Sequence, residues 1–332
     1  MKCINKGIAA AVCCAVILCA AGCGSDSDVV IESAYDVYGT SAEYGLTNEI
    51  VASTLEPFAE DLCVIGFDDT DSSADLHTDV AEGAAVFNTA QGTVSYAQNV
   101  YETLYPASTT KILTAYLAIK YGDLTQEVTV SEEALADLDS ASSVCGLNAG
   151  DTLTLEQLLY GLMLCSGNDA AEVIAEAVSG SREEFIALMN SEAASLGAVN
   201  SNFVNPHGLP DEDHYTTVYD LYLIFNAAIA QEEFITLISC DSYEAVYTDA
   251  AGSSVTKTWS NTNWYLTGDE ETPEGITVIG GKTGTTNAAG YCLVLLSEND
   301  EEEPLISIIL KADTRSDLYL FMSELLTGFS GD

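Results

Sequence analysis

The stretch YPASTTKIL, residues 105–113, supports two interpretations of this chain. In one, Ser108 is a nucleophile and Lys111, one helical turn later, is its base. In the other, a helix merely begins here, since Ser and Thr are frequent N-cap residues whose hydroxyl accepts a backbone N–H bond. Pro106 and the apolar stripe that follows predict a helix start near Ser108, so both interpretations share one local structure.

The Ser-x-x-Lys pattern alone is weak evidence, because the chain contains a second copy. Ser254 and Lys257 lie in the polar stretch AAGSSVTKTW, which has strand character. Side chains three residues apart lie one above the other on a helix but point to opposite faces of a strand. We therefore expect only Ser108 and Lys111 to meet.

Two further motifs follow along the chain. Ser166-Gly167-Asn168 comes after the helical pattern LTLEQLLYGLML (153–164), where a helix break with capping side chains is the simpler explanation. Lys282-Thr283-Gly284 occurs once and separates two apolar runs. It suits either an edge strand lining a cleft or a loop between strands. A decoy of the second motif, Ser297-Glu298-Asn299, falls in an acidic turn.

The three motifs become specific through their order, S-x-x-K, S-x-N and K-T-G, which is the motif set of penicillin-binding proteins and class A β-lactamases. On these residues the chain resembles the serine-type D-Ala-D-Ala carboxypeptidases of peptidase family S11, the low-molecular-mass penicillin-binding proteins. The resemblance covers about residues 80–325 and includes FVNPHGLPDEDHYTTVYDL (203–221) and GGKTGTTNAAGYCLV (280–294). One departure is Thr285, where the family often has a larger residue.

The resemblance implies an acyl-enzyme mechanism on peptidoglycan stem peptides that end in D-Ala-D-Ala, with β-lactams as covalent inhibitors. It implies no cofactor and no metal. The implied catalytic residues are Ser108 (nucleophile), Lys111 (base), Ser166 (proton transfer to the leaving amine) and Asn168 (orientation of Lys111 and substrate). The implied substrate-binding residues are Lys282, Thr283, Gly284 and Thr285, with the backbone N–H groups of Ser108 and Thr285 as oxyanion hole.

The distribution of strand and helix patterns predicts an α+β fold. A hairpin is expected at residues 84–99 around Gln91-Gly92, and a second one from two apolar runs separated by residues 298–303. Helices are expected at 153–164, 184–197 and 315–328. Strands at both ends with helices between them predict one antiparallel sheet closed by early and late strands, with an inserted helical lobe. This is the β-lactamase/transpeptidase-like fold that the resemblance implies.

The N-terminus predicts export. Residues 1–22 combine two Lys with a short apolar run and resemble a lipoprotein signal peptide, with lipidation at Cys23. Ordinary secretion or a retained anchor are the alternatives, and each places the protein outside the cytoplasm. Residues 23–60 read as an acidic tether with a short helix near 49–56, and residues 61–332 as the catalytic domain. We expect this anchor in place of the C-terminal β domain and anchor of some family members.

The formal net charge of −43 makes nucleic acid and anionic lipid head groups poor partners. After removal of residues 1–22 only seven basic residues remain, and Lys111 and Lys282 are two of them. Burial and a nearby Lys282 would both depress the pKa of Lys111, as a base requires. The five cysteines beyond Cys23 are scattered and odd in number, so we expect buried thiols and no disulfide framework.

Other functions find less support in the sequence. A class A β-lactamase needs a Glu in an E-x-x-L-N loop, and Asn202 stands at the expected distance instead. A metallopeptidase would need a ligand cluster such as H-E-x-x-H, which is absent, and His207 is read as a loop-shaping residue. A non-catalytic wall-binding lipoprotein would usually have lost the Ser or the Lys. Endopeptidase action on cross-links uses the same chemistry and stays open.

Overall fold

A computed structural model describes residues 62–64, 76–136, 138 and 142–330. The predicted signal segment (1–22), Cys23 and the tether (23–60) with its short helix lie outside these residues and stay predictions.

The described strands fall into two sheets, and the helices lie between and beside them. The strands are β1 Ala81–Asn88, β2 Thr93–Gln98, β3 Glu127–Thr129, β4 Thr152–Thr154, β5 Ser242–Thr248, β6 Ser254–Ser260, β7 Thr277–Thr286, β8 Gly290–Glu298 and β9 Pro304–Ala312. The α-helices are α1 Lys111–Tyr121, α2 Glu132–Ala136, α3 Leu155–Met163, α4 Asn168–Ser179, α5 Arg182–Ser195, α6 Val218–Ile229, α7 Glu232–Ile238, α8 Trp264–Thr267 and α9 Arg315–Phe329. Short 3-10 helices cover Thr78–Val80 and Ala107–Thr110.

The larger sheet is antiparallel, with strand order β2-β1-β9-β8-β7. The early strand β1 pairs with the late strand β9, for example through Ala85 and Ile308, so the predicted closure is confirmed. Both predicted hairpins, β1–β2 and β8–β9, are also present. Gly92 adopts a φ of 66° in the first turn, a conformation that favours glycine. Strand β7, which carries the Lys-Thr-Gly motif, is an edge strand, as one of the two interpretations predicted.

The five-stranded sheet is covered on both faces, which explains the long apolar runs in its strands. Along β8, Leu293 and Leu295 pack with α9 in one cluster, whereas Val294 and Leu296 belong to the main core beneath the helical lobe. This alternation follows from the two-residue period of a strand. The sheet thus lies between α9 and the helical lobe.

The helical lobe surrounds α1, which begins with Lys111. This helix packs against α3, α4, α5, α6 and α7, so its first eight residues are all buried. The predicted helix at 153–164 begins two residues later than expected. The reason is a capping box in which Thr154 accepts a hydrogen bond from the Gln157 backbone, while the Gln157 side chain accepts one from Thr154. The helix predicted at 184–197 is likewise shifted and covers Arg182–Ser195.

A second antiparallel sheet, with order β3-β4-β5-β6, was missed by the sequence analysis. Its first two strands have three residues each, too few to show the strand period. Its edge strand β6 contains the decoy pair Ser254 and Lys257.

None of the helices in the described part of the chain could cross a membrane by itself. Among the described helices, only α6 and α7 taken together are long and apolar enough for a membrane span, and they are bent by 110° relative to each other.

Candidate active site

Ser108 lies in the 3-10 turn that leads into α1, and Lys111 is the first residue of that helix. The Lys111 Nζ lies 2.9 Å from the Ser108 Oγ, as the helical spacing predicted. The alternative role of Ser108 as a helix cap is wrong. The N-cap residue of α1 is Thr110, and no side chain caps either the 3-10 turn or the α-helix.

The Lys111 amine is fully buried and has three oxygen neighbours. Besides Ser108, it contacts the Asn168 Oδ1 and the backbone carbonyl of His207, each at 2.7 Å. Burial lowers the pKa of Lys111 well below its usual value, and the charge of Lys282 lowers it further. Both causes are those predicted from the sequence. Together they favour the neutral amine, the form that can accept a proton.

Residues 166–168 form the break between α3 and α4. Ser166 adopts a left-handed backbone conformation with a φ of 59°, which is uncommon for a residue other than glycine. Its Oγ is buried and has no hydrogen-bond partner among the described residues. Such strain and an unsatisfied hydroxyl are typical of functional positions. Asn168 opens α4, and its backbone N–H donates to the Ser143 carbonyl at 2.8 Å.

The Lys-Thr-Gly motif runs along β7 next to the 3-10 turn. The Lys282 Nζ is buried and donates to the Thr283 carbonyl at 2.9 Å, and burial lowers the pKa of Lys282 to about 7. The Thr283 Oγ1 lies 2.5 Å from the Thr262 Oγ1. Thr285 is exposed. A protonated Lys282 can hold a carboxylate, and the charge of that carboxylate would in turn favour protonation of Lys282.

Residues of the first two motifs line one cavity of about 300 Å³ together with Thr285, which follows the Lys-Thr-Gly motif. The lining includes Ser108, Ser143, Asn168, His207, Leu209 and Thr285. The structure therefore brings together Ser108, Lys111 and Asn168 by direct contact and Lys282, Thr283 and Gly284 on the neighbouring strand. Cys23, the predicted lipidation site, lies outside the described residues.

Both decoy motifs are structural. Ser254 and Lys257 point to different sides of β6, and the Lys257 Nζ donates to the Gly146 carbonyl. In the other decoy, the Asn299 Oδ1 accepts bonds from the backbone N–H groups of Glu301 and Glu303 and so shapes the turn before β9.

Sequence analysis missed the backbone groups of the site. The His207 carbonyl contacts Lys111, and the Ser143 carbonyl contacts Asn168. No side-chain pattern reveals a backbone acceptor. The segment NPHGLP, residues 205–210, contained the only available signal for the turn that carries the His207 carbonyl, since Asn and Gly in such a run predict a tight turn.

Among the residues that the structure describes, the other titratable groups give no sign of a metal site. Within the described residues no group of three or more His, Cys, Asp or Glu could hold a metal ion. The five described cysteines are free, and Cys63, Cys145 and Cys292 are buried, as predicted.

Comparison with known proteins identifies the family of this chain. The sequence profile of the peptidase S11 family, D-alanyl-D-alanine carboxypeptidase, matches residues 70–314. The chain belongs to this family. It is 32% identical over 239 residues to the D-alanyl-D-alanine carboxypeptidase DacF of Bacillus subtilis, covering 70% of this chain and 58% of that protein. It is 35% identical over 227 residues to the D-alanyl-D-alanine carboxypeptidase of Streptomyces sp. strain K15, covering 65% and 76% of the two chains. The chain thus spans 58% of the length of relatives such as DacF.

Two solved structures have the same fold. The Streptomyces K15 DD-transpeptidase superposes with a TM-score of 0.66 at 31% identity, covering 73% of this chain and 95% of that one. A putative penicillin-binding protein homologue from Mycobacterium tuberculosis gives a TM-score of 0.68 at 27% identity, covering 80% and 97%. The predicted α+β fold of the β-lactamase/transpeptidase type is confirmed.

Proposed function

We propose that the protein is a serine D-Ala-D-Ala carboxypeptidase that removes the terminal D-Ala from peptidoglycan pentapeptide stems. The observation that carries the proposal is the buried Lys111 amine placed between the Ser108 hydroxyl and the Asn168 amide oxygen. A lysine in this environment is a competent general base, and membership of family S11 supplies the substrate class.

Acylation follows from the contacts of Lys111. A neutral amine has two N–H donors and one lone pair. If it donates to the Asn168 Oδ1 and the His207 carbonyl, its lone pair faces the Ser108 hydroxyl. Ser108 then attacks the carbonyl of the penultimate D-Ala, its proton passes to Lys111, and the peptide C–N bond breaks after the tetrahedral intermediate forms.

The leaving amine must gain a proton as the bond breaks. The Ser166 hydroxyl is buried, has no partner among the described residues and lies between α3 and α4. It can donate its proton to this amine and take up in return the proton that Lys111 removed from Ser108, which leaves Lys111 neutral again. Water then hydrolyses the ester between substrate and Ser108, with Lys111 again as the base. Both half-reactions use one set of groups, as microscopic reversibility requires.

Substrate orientation is assigned to β7. Lys282 and the hydroxyls of Thr283 and Thr285 would hold the terminal carboxylate. The backbone N–H groups of Ser108 and Thr285 would stabilise the oxyanion. The close approach of Gly284 to the Ser108 backbone supports this pairing of the two segments.

Release of D-Ala from a pentapeptide by wild type and by Ser108→Ala tests the proposal. We expect release by the wild type only, because the variant lacks the nucleophile. Equal release by both would refute Ser108 as nucleophile, and no release by either would favour a non-catalytic wall-binding protein. The same assay on cross-linked wall measures endopeptidase action.

A fluorescent penicillin separates carboxypeptidase from β-lactamase. We expect a stable covalent adduct on Ser108, since the position at which a β-lactamase has its deacylating Glu is Asn202, whose amide donates to the Asp213 carbonyl. Rapid turnover without a labelled band would contradict this.

We further propose that the protein acts outside the cytoplasm, attached to the outer face of the cytoplasmic membrane through a lipid on Cys23. The signal-like segment before Cys23 supports this. In cells, Cys23→Ser should move the protein from the membrane fraction to the soluble fraction and abolish labelling by a palmitate analogue. Unchanged membrane association would point to a retained anchor.

A further inference from the structure

The His207 carbonyl is held toward Lys111 by a tightly bonded turn. The Asn205 Oδ1 accepts hydrogen bonds from the Gly208 and His207 backbone N–H groups at 2.7 and 3.3 Å. Gly208 has a φ of 90°, and a Cβ there would stand 1.7 Å from the Ala107 carbonyl oxygen. The turn therefore packs directly against the segment that carries Ser108, and small movements of it would reach Lys111.

The imidazole of His207 is fixed from both sides. Its Nδ1 accepts a hydrogen bond from the Leu209 backbone N–H at 3.2 Å, so in the neutral ring the proton lies on Nε2. Burial lowers the pKa of His207 and favours this neutral ring. The Nε2–H then donates to the Glu172 Oε1, which lies 3.0 Å away. Both side chains are buried.

Glu172 lies one turn after Asn168 on α4, so the two side chains share a helix face. Asn168 contacts Lys111 directly, and Glu172 reaches it through His207. The same oxygen of Glu172, Oε1, lies 3.6 Å from the Arg182 Nε at the start of α5. Burial of a carboxylate costs free energy unless the carboxylate is paired, and Glu172 is paired with both His207 and Arg182.

We propose that Glu172 is a positioning residue for the general base. It fixes the tautomer and orientation of His207, whose carbonyl then orients the Lys111 amine so that its lone pair faces Ser108. Arg182 pairs with the carboxylate of Glu172 and helps to hold it in place. This inference rests on the proposed function, because it assigns Glu172 a part in the acylation of Ser108.

The test compares three variants by the kinetics of acylation with a fluorescent penicillin. In Glu172→Ala, the acylation rate constant should fall roughly tenfold or more, because misplacement of a reacting group costs such factors, while the dissociation constant of the non-covalent complex stays unchanged. Glu172→Gln should remain within about threefold of wild type, because the amide oxygen still accepts the Nε2–H bond.

Glu192→Ala is the matched control. Glu192 is buried to the same extent, 6% exposed for both residues, and bonds to Lys120 and Tyr121 away from the cavity. It should lose stability but keep the acylation rate constant. Nitrogen NMR of His207 adds a readout independent of turnover, in which Nε2 should be protonated in wild type and Glu172→Gln and should exchange its proton faster in Glu172→Ala.

Two results would overturn the proposal: an unchanged acylation rate constant in Glu172→Ala, or an equal loss in Glu192→Ala, which would show general destabilisation. A wild-type protein that forms no acyl-enzyme at all would overturn the proposed function itself, and this inference with it.

Discussion

Gly284 lies against Ser108 so closely that a Cβ on residue 284 would stand 3.0 Å from the Ser108 backbone nitrogen. The same Cβ would lie 3.1 Å from both the Pro106 carbonyl oxygen and the Ala107 Cβ. These neighbours are mostly backbone atoms that cannot rotate away. The glycine of the Lys-Thr-Gly motif thus permits β7 to pack beside the nucleophile.

Gly284→Ala should push β7 away from Ser108 by a few tenths of an ångström. We expect the rate of penicillin acylation to fall at least about tenfold, because the oxyanion donors lie on the two displaced segments. Stopped-flow fluorescence measures it. Gly328→Ala is the control, since nothing lies near that position in α9, and it should raise helix stability by up to about 1 kcal/mol. Acylation of Gly284→Ala at the wild-type rate would contradict the close packing of β7 against Ser108.

The pH dependence of acylation should respond to Lys282. Because Lys111 must be neutral, acylation rises with pH through the pKa of Lys111. The Lys282 charge lowers that pKa, so Lys282→Gln should raise it. The rising limb of the pH–rate profile of acylation should then move to higher pH. A sulfonyl fluoride is a suitable probe, since it carries no carboxylate for Lys282 to bind.

The control for this experiment is Lys257→Gln, which removes a cation from β6 outside the cavity lining. It should leave the limb in place. A limb that stays fixed in Lys282→Gln, or moves equally in both variants, would show that Lys282 does not set the pKa of Lys111.

Stability at low pH should depend on His214. Its Nδ1 accepts from the Val204 N–H, its Nε2 lies 2.9 Å from the Thr110 Oγ1, and burial lowers its pKa to about 3. The unfolded chain therefore binds more protons between pH 6.5 and 3, so His214 makes the folded state less stable as pH falls.

The measurement is the difference in free energy of unfolding between wild type and His214→Gln, by urea titration at several pH values. In this window, each fall of one pH unit should lower the free energy of unfolding of wild type by about 1.4 kcal/mol relative to that of His214→Gln. Effects of the many carboxylates cancel in the difference. A pH-independent difference would mean that His214 keeps its ordinary pKa.

Salt should accelerate the reaction with anionic substrates, since the net charge is −43. We expect the second-order rate constant of penicillin acylation to rise roughly threefold or more between 20 and 300 mM NaCl, because salt screens long-range repulsion. A neutral sulfonyl fluoride should show no such rise. A decrease with salt for penicillin would mean that the local charge of Lys282 dominates its approach.

The sequence was informative where chemistry depends on side chains at regular spacing. The contact between Ser108 and Lys111 follows from one helical turn, and the opposite orientation of Ser254 and Lys257 follows from the strand period. The sheet closure followed from the order of strand patterns. The second sheet could not be predicted, because β3 and β4 are short and gain stability from pairing with a distant hairpin.

Other features of the site depend on tertiary structure alone. The left-handed Ser166 and the carbonyl of His207 have no side-chain signature. The hydrogen bond between His207 and Glu172 joins a distant loop to α4. Such contacts form only after the helical lobe has packed, so no local sequence pattern predicts them.

Strand β9, one of the last elements of the chain, lies in the middle of the five-stranded sheet. A growing or truncated polypeptide that ends before Pro304 has both β1 and β8 without their shared neighbour, and two apolar strand edges are then open to other chains. Folding of the five-stranded sheet must therefore wait until β9 has been synthesised, and β1 and β9 must pair although they are far apart along the chain. We expect truncated chains that end before Pro304 to aggregate instead of retaining partial activity.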